Sequence, residues 1–254
     1  MRYRARVEYD GTDFSGFQVQ PGRRTVQGIL ETTLESLGNE ASSRIDGAGR
    51  TDAGVHATGQ VIAFSWDGRL EVDELGRALD ARLPGDVAIR DLRRVQPDWK
   101  PRYAARYREY RYTVWNGPRS PLIERTALGV RAPLDTAAME RAGSVFIGRR
   151  DFSAFGATDR SPVRTVSAVR VRREGRLVTI DVRADSFLRG MVRRIVAALL
   201  QVGLGQTDIE TVRSAFAGDG PALDGAAAPA KGLCLRHVAF GSRPERMNGE
   251  HEQR

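Results

Sequence analysis

The sequence predicts an α+β protein made of two tandem split βαβ units, and three observations carry that prediction. Period-two alternation marks strands, as at the start, where Tyr3, Ala5, Val7 and Tyr9 alternate with Arg4, Arg6, Glu8 and Asp10. Capped amphipathic segments mark helices. The order β, α, β, β, α, β, read across the first half of the chain, is then read again across the second.

In the first half, Thr25 can cap a helix whose Val26, Ile29, Leu30, Thr33, Leu34 and Leu37 share one face, with Gly38 as its stop. A short strand is expected from Ala41 to Ile45, then a glycine-rich loop, then a strand from Gln60 to Trp66 with Ile62, Phe64 and Trp66 on one side. Glu71 to Leu83 reads as a helix ended by Pro84, and Val87 to Val95 as a strand. The second half begins with a long strand from Arg106 to Trp115 and a capped helix from Asp135 to Gly148. Val163 to Arg173 and Leu177 to Phe187 form a hairpin around Glu174 and Gly175. Arg189 to Val202 and Asp208 to Ala217 read as helices, and Leu233 to Phe240 as the closing strand. The expected division is an N-terminal lobe over 1–104, a C-terminal lobe over 105–243 and a polar, frayed tail over 244–254.

Bulk composition narrows the function classes. A hydrophobic fraction of 41% and a charged fraction of 28% exclude a disordered or membrane chain. The longest strongly apolar run, Ile195 to Leu200, is too short to span a bilayer, and the N-terminus lacks the apolar core of a signal peptide, so a cytoplasmic location is expected. A net charge of +8 favours a polyanionic partner, nucleic acid before membrane surface. Lys100 and Lys231 are the only lysines among 40 basic residues. Arginine pairs with phosphates bidentately and stacks on bases, so the surface suits RNA whatever the origin of the skew. One cysteine, Cys234, excludes a disulfide framework and a cysteine-cluster zinc site, and His56, His237 and His251 lie far apart, so no metal is expected.

Four segments could carry chemistry. "GAGRTDAGVHATGQV", Gly47 to Val61, sets Arg50, Asp52 and His56 among glycines, and it has neither the Gly-Lys-Ser/Thr of a P-loop nor the spacing of an EF-hand. Local pattern leaves a functional site and a structural loop evenly matched. In "YDGTDFSGFQVQ", Asp10 and Asp13 could pair with Asp52 as a glycosidase would require, although a simple turn explains "DGTD" as well. Phe14, Phe17, Arg23 and Arg24 make an aromatic and basic surface suited to RNA, while the two phenylalanines fit a core equally.

"RYAARYREYRYTVWN" interleaves arginine with tyrosine. Alternation puts Arg106, Arg108, Tyr110, Tyr112 and Val114 on one face, a mixture suited to base stacking and phosphate pairing. In "ADSFLRGMVRRIVAALLQVG", Met191, Ile195, Ala198, Leu199 and Val202 form a core stripe. Arg189 and Arg193, four residues apart, would share a helical face, either solvated or aimed together at an anion.

Taken together these segments resemble the bacterial tRNA pseudouridine synthase A (TruA) family. With "TVQGILE", "LPGDVAIR", "DFSAFG", "RTV" and "GLCL", they occur in the family's order from Tyr9 to Leu235, and the GRTDAGVHA core is highly specific. Phe17 stands where tryptophan is common, and the loop around Ala226 is variable in the family.

The resemblance implies the pseudouridine synthase fold: two related ferredoxin- or RRM-like lobes sharing a mixed, mainly antiparallel sheet, with the active-site cleft between them. It also implies a cofactor-free isomerase that converts uridine to pseudouridine at positions 38, 39 and 40 of the tRNA anticodon arm, acting as a homodimer. Asp52 matches the essential aspartate, and Arg193 the basic residue that keeps it ionised and oriented. Tyr110 matches the tyrosine that stacks on the uracil, Arg50 the arginine that replaces the extruded base, and Leu233 an apolar pocket residue. Arg106, Arg108, Arg164 and Arg189 are further candidate RNA contacts, and His56 is a support or RNA contact. The residues leave open whether Asp52 attacks C1′, adds to the uracil ring or takes a sugar proton. An inert pair of RRM-like RNA-binding units is the competing reading, although "TGQVIAFSW" lacks the basic residue and paired aromatics such a unit uses.

Overall fold

The structure, a computed structural model, describes residues 1–38, 44–157, 161–216 and 226–241. The first half contains β1 (Arg2–Tyr9), α1 (Val26–Ser36), β2 (Asp46–Gly47), β3 (His56–Ser65), α2 (Val72–Arg82) and β4 (Val87–Arg94). A single helical turn, α3 (Pro101–Ala104), leads into β5 (Ala105–Asn116), followed by β6 (Leu128–Val130), α4 (Thr136–Gly143) and β7 (Gly148–Asp151). Then come β8 (Val163–Glu174), β9 (Leu177–Ala184), α5 (Met191–Gly203), α6 (Ile209–Ser214) and β10 (Leu233–Phe240).

Among the described residues these strands form one mixed sheet with the order β4-β1-β3-β10-β5-β9-β8-β7. Most neighbours are antiparallel, while β10 runs parallel to β3 and β6 parallel to β5. The predicted repeat is visible in this order. Taking each half's four principal strands in chain order, the sheet runs fourth, first, third, second: β4-β1-β3 with β2 on β3, then β10-β5-β9-β8. The halves meet where β10, the last strand, lies against β3 through Cys234 opposite His56 and Leu235 opposite Ala57.

That junction depends on a close backbone approach. A Cβ at Gly59 would stand 2.1 Å from the Arg236 carbonyl oxygen, so only glycine lets β3 and β10 lie together.

Alternation then sorts side chains between the two faces of the sheet. Tyr3, Ala5, Val7 and Tyr9 from β1, Tyr110, Tyr112 and Val114 from β5, and Val178, Ile180 and Val182 from β9 are buried. The core also holds the inward faces of α1, α2, α4 and α5. The opposite face is polar and ion-paired, with Arg111 Nε 2.7 Å and Arg172 Nη1 3.2 Å from Asp181 carboxylate oxygens. Arg183 Nη2 lies 2.5 Å from Glu109 Oε2 on the same face.

Local chemistry explains the helix starts. Thr25 Oγ1 accepts from the Gly28 N–H, and Glu71 forms a reciprocal capping box with Glu74. Asp135 and Asp208 cap α4 and α6 through the N–H groups of Ala138 and Thr211.

Several boundaries differ from the expectation. The short strand falls at Asp46–Gly47, later than predicted, and Ala41 to Ser43 lie outside the described residues, as do Ala217 and the 244–254 tail. β3 begins four residues early, at His56, because β10 supplies a partner for its first residues. The helix expected through Gly148 ends at Gly143; a 3₁₀ turn follows, and β7 pairs instead with β8. Residues 185 to 187 leave the sheet after Ala184.

Arg189 is a further correction. Gly190 takes the N-cap of α5 in the left-handed region, with Arg189 bridged to Ala157 before it, so Arg189 and Arg193 do not share a helical face.

Candidate active site

Asp52 belongs to the loop between β2 and β3, and its neighbours are held residue by residue. Ala48 N–H donates to Val61 O at 2.8 Å, Gln60 Nε2 donates to Gly49 O at 3.0 Å, and Phe17 N–H donates to Thr51 O at 3.0 Å. Tyr9 OH and Thr51 Oγ1 are 2.8 Å apart. Val55 N–H closes a turn onto Asp52 O at 3.2 Å. Gly16, at φ 97°, packs its backbone against this loop, and a Cβ there would meet Thr51 O at 2.9 Å. The Asp52 carboxylate therefore projects from a fixed backbone while its side chain stays 35% exposed.

The second half supplies the facing cation. Arg193, in the first turn of α5, brings Nη1 to 3.9 Å from Asp52 Oδ2, and its Nε donates to Ala228 O at 2.6 Å. Ala228 N–H returns a bond to Arg193 O at 3.0 Å, so the arginine and the approach to β10 fix one another. A guanidinium tied at one nitrogen and offering another can orient the carboxylate opposite it.

Tyr110 points inward from β5 with its ring edge-on to Phe187, centroids 5.2 Å apart. Burial pushes its phenol well above the ordinary tyrosine range, and the Asp52 charge pushes it the same way, so it is present as the neutral phenol. Leu233 opens β10 opposite Tyr112 and is buried. Arg50, two residues before Asp52, is exposed.

His56 is buried and tied at both nitrogens: Nδ1 accepts from Gly11 N–H at 3.1 Å, and Nε2 lies 3.1 Å from Lys231 O. Nδ1 also lies 3.1 Å from Asp10 Oδ1, so both ring nitrogens are engaged within the protein. The imidazole links the β1 turn to the approach to β10.

Three other candidate contacts, Phe14, Phe17 and Arg108, are corrected by burial, while Arg24 stays exposed and is engaged by an ion pair. Phe14 and Phe17 are each 3% exposed; both are core, with Arg24 lying over Phe14 at 3.9 Å from the ring centroid. Arg24 is also held by both Asp86 carboxylate oxygens. Arg108 is 9% exposed and bonded to backbone carbonyls. Arg23 and Arg106 remain exposed, as does Arg189, while Arg164 is half-buried with Nη1 on Ser161 O and Val163 O.

Asp10 and Asp13 are engaged by Arg125, whose Nε and Nη2 lie 2.6 and 3.4 Å from them. Burial alone would raise the Asp10 carboxyl, but bonds from Thr12 and Arg125 outweigh it and hold it at about 2. A glycosidase-like pairing of these residues with Asp52 is thus replaced by an ion pair to the 120–127 segment. Among the described residues there is no group of three or more metal-ligating side chains, and no helix long and apolar enough to cross a membrane.

Sequence reasoning did not single out Thr51, Gln60, Phe187 or Ala228. The first two lie inside the Gly47–Val61 motif, where their residue types hint at loop bonding. Ala228 acts through its backbone, which leaves no mark in the residue code.

A carboxylate from one half meeting a guanidinium from the other at the seam of a duplicated βαβ sheet is the arrangement that the resemblance to pseudouridine synthases implies. A family model described as tRNA pseudouridine synthase matches residues 5–104 and 142–241, and the chain belongs to that family, which isomerises uridine to pseudouridine. It is similar to tRNA pseudouridine synthase A of Geobacter sulfurreducens, 40% identical over 238 residues that cover 92% of this chain and 97% of the relative. It is also similar to tRNA pseudouridine synthase A of Halalkalibacterium halodurans, 39% identical over 251 residues, or 97% and 93% of the two chains. A solved Cbf5-Nop10-Gar1 complex overlays with a TM-score of 0.31 at 17% identity, over 78% of this chain and 45% of that one.

Proposed function

We propose that this chain isomerises uridine to pseudouridine at positions 38, 39 and 40 of the tRNA anticodon stem-loop, with Asp52 as the essential carboxylate and no cofactor. The observation that carries the reading is the meeting of Asp52 and Arg193 at 3.9 Å across the joint between the halves. Isomerisation breaks the N1–C1′ bond, turns the uracil and forms C5–C1′; the C5 proton then leaves and N1 gains one, so no atom is lost or added. A partly exposed carboxylate can act on the sugar or the base, while Leu233 and the ring of Tyr110 give the uracil an apolar seat that excludes water.

Arg50 is exposed beside Asp52, in position to fill the stack when the target base leaves it. Tyr110, as a neutral phenol, can stack on the uracil and take part in the late proton transfer. Arg23, Arg106, Arg164 and Arg189 supply phosphate contacts in this reading. The division into lobes at 104 and 105, a homodimeric assembly in which one tRNA spans both subunits, and a cytoplasmic location belong to the same proposal. Its support is the family match, the basic charge and the duplicated strand order.

The test incubates unmodified tRNA with the purified protein and maps pseudouridine. Wild type is expected to modify positions 38 to 40, and Asp52→Ala none. Binding without pseudouridine in both proteins would leave an inert RNA-binding module as the correct reading.

A further inference from the structure

Arg108 sits in a socket of backbone carbonyls that the roles above do not use. Its Nη2 donates to Ala48 O at 2.8 Å and to Arg102 O at 2.8 Å, its Nη1 to Asp185 O at 2.7 Å, and its Nε to Ala48 O at 3.3 Å. Three chain segments that are distant in sequence are thereby joined by one planar group. Ala48 precedes Asp52 by four residues in the same fixed loop. Asp185 opens the short connection through Phe187 to Gly190, from which α5 carries Arg193. Arg102 lies in α3, between the two halves.

Burying a guanidinium costs several kcal/mol unless its donors are satisfied, and an apolar residue would fill a core position of β5 at lower cost. Here carbonyl dipoles satisfy the donors, and the fork of five N–H groups matches a task that lysine or an uncharged side chain cannot perform. We propose that Arg108 is a positioning residue for the isomerisation, setting the separation of Asp52 and Arg193 by bonding both segments that deliver them. The inference rests on Asp52 being the catalytic carboxylate.

The 3.9 Å gap makes that separation consequential. It lies at the outer limit of an ion pair, so a shift of about 1 Å on either side changes which contact is made, and misplacements of that size cost about 10²-fold in rate.

The experiment measures single-turnover rate and tRNA affinity on an unmodified transcript for wild type, Arg108→Met, Arg108→Lys, Arg193→Met and the double variant Arg108→Met/Arg193→Met. Asp52→Ala is the control for the underlying reading. Arg108→Met is expected to slow turnover about 10²-fold with affinity within about threefold, and the double variant to be no slower than the slower single variant, since both act through one contact. Arg108→Lys is expected to lose about tenfold, because an ammonium cannot hold three carbonyls in one plane.

Losses that multiply in the double variant would overturn the proposal, marking a general structural role. Affinity falling as much as rate would also overturn it, marking Arg108 as an RNA contact. Should the methionine variant not fold, the lysine variant decides alone, and wild-type turnover there would end the proposal. Activity surviving in Asp52→Ala overturns the carboxylate reading instead, and is read separately from all of these.

Discussion

The two halves of the sheet share a strand order and differ in one strand. In the second half β8 runs 12 residues and lies along the whole of β9. In the first half the equivalent strand, β2, is 2 residues long and pairs only with Ile62 and Ala63 of β3. The shortened strand leaves the β2-side edge at the beginning of β3 open, its other edge being paired with β1, and β10 occupies the open edge at His56 and Ala57. The residues released from strand structure form the Asp52 loop. The proposed site therefore sits where the repeat is incomplete: an unfilled sheet edge joins the halves and also frees a loop at their boundary. The complete edge, at β8 and β9, carries ion pairs instead.

The largest effect expected from this contrast is at the loop. Asp52→Asn removes the ionisable group and keeps its size, so turnover should fall about 10³-fold or more while tRNA binding and the thermal melting temperature stay near wild type. A collapse of the melting transition would make Asp52 part of the framework instead.

Next is the joint. Gly59→Ala drives a methyl group to 2.1 Å from the Arg236 carbonyl oxygen and should destabilise the protein by about 3 kcal/mol in urea titration. A variant as stable as wild type would show that the β3–β10 contact does not hold the halves together.

Arg50→Ala tests access at the same loop. Turnover should fall by about 10- to 100-fold with a smaller loss of affinity, because in the proposed function many other arginines hold the RNA backbone. Equal losses in filter-binding and rate measurements would place Arg50 among general phosphate contacts.

The smallest effect concerns the clasp between Asp10 and the 120–127 segment. The Asp10 pKa, about 2 when folded, lies below the ordinary carboxylate value, so its contribution is present above about pH 4 and is lost as pH falls toward 2. Asp10→Asn should therefore cost about 1 kcal/mol at pH 7, and chemical-denaturation curves of the two proteins should converge near pH 2. A gap independent of pH would remove the charge from the explanation.

Much of this arrangement was legible in the residues. Alternation in β5 put Tyr110, Tyr112 and Val114 on one face, and all three are buried there. Asp52, Arg50 and their glycines declared a loop, and local pattern left a functional site and a structural connection evenly matched until the ordered set of distant segments was added. The same rules misplaced others for physical reasons. Arg108 satisfied the alternation, but its arginine chemistry suggested RNA, and only the three carbonyls around it show where its donors go. Phe14 and Phe17 stand beside arginines in sequence, yet burial governs them. The helical period extends back to Arg189, and the left-handed Gly190, which no periodicity registers, ends it two residues sooner.

The sequence by itself determined the principal elements, their repeated order and the loop that bears Asp52, because capping, alternation and glycine content act within a few residues, whereas the short α3, β6 and β7 were not predicted. Tertiary structure alone decided that β10 takes the edge of β3, and that Arg193 reaches Asp52 from the other half. Those outcomes depend on strand register and on the burial of distant surfaces against one another, and local pattern does not encode which edge will be left open.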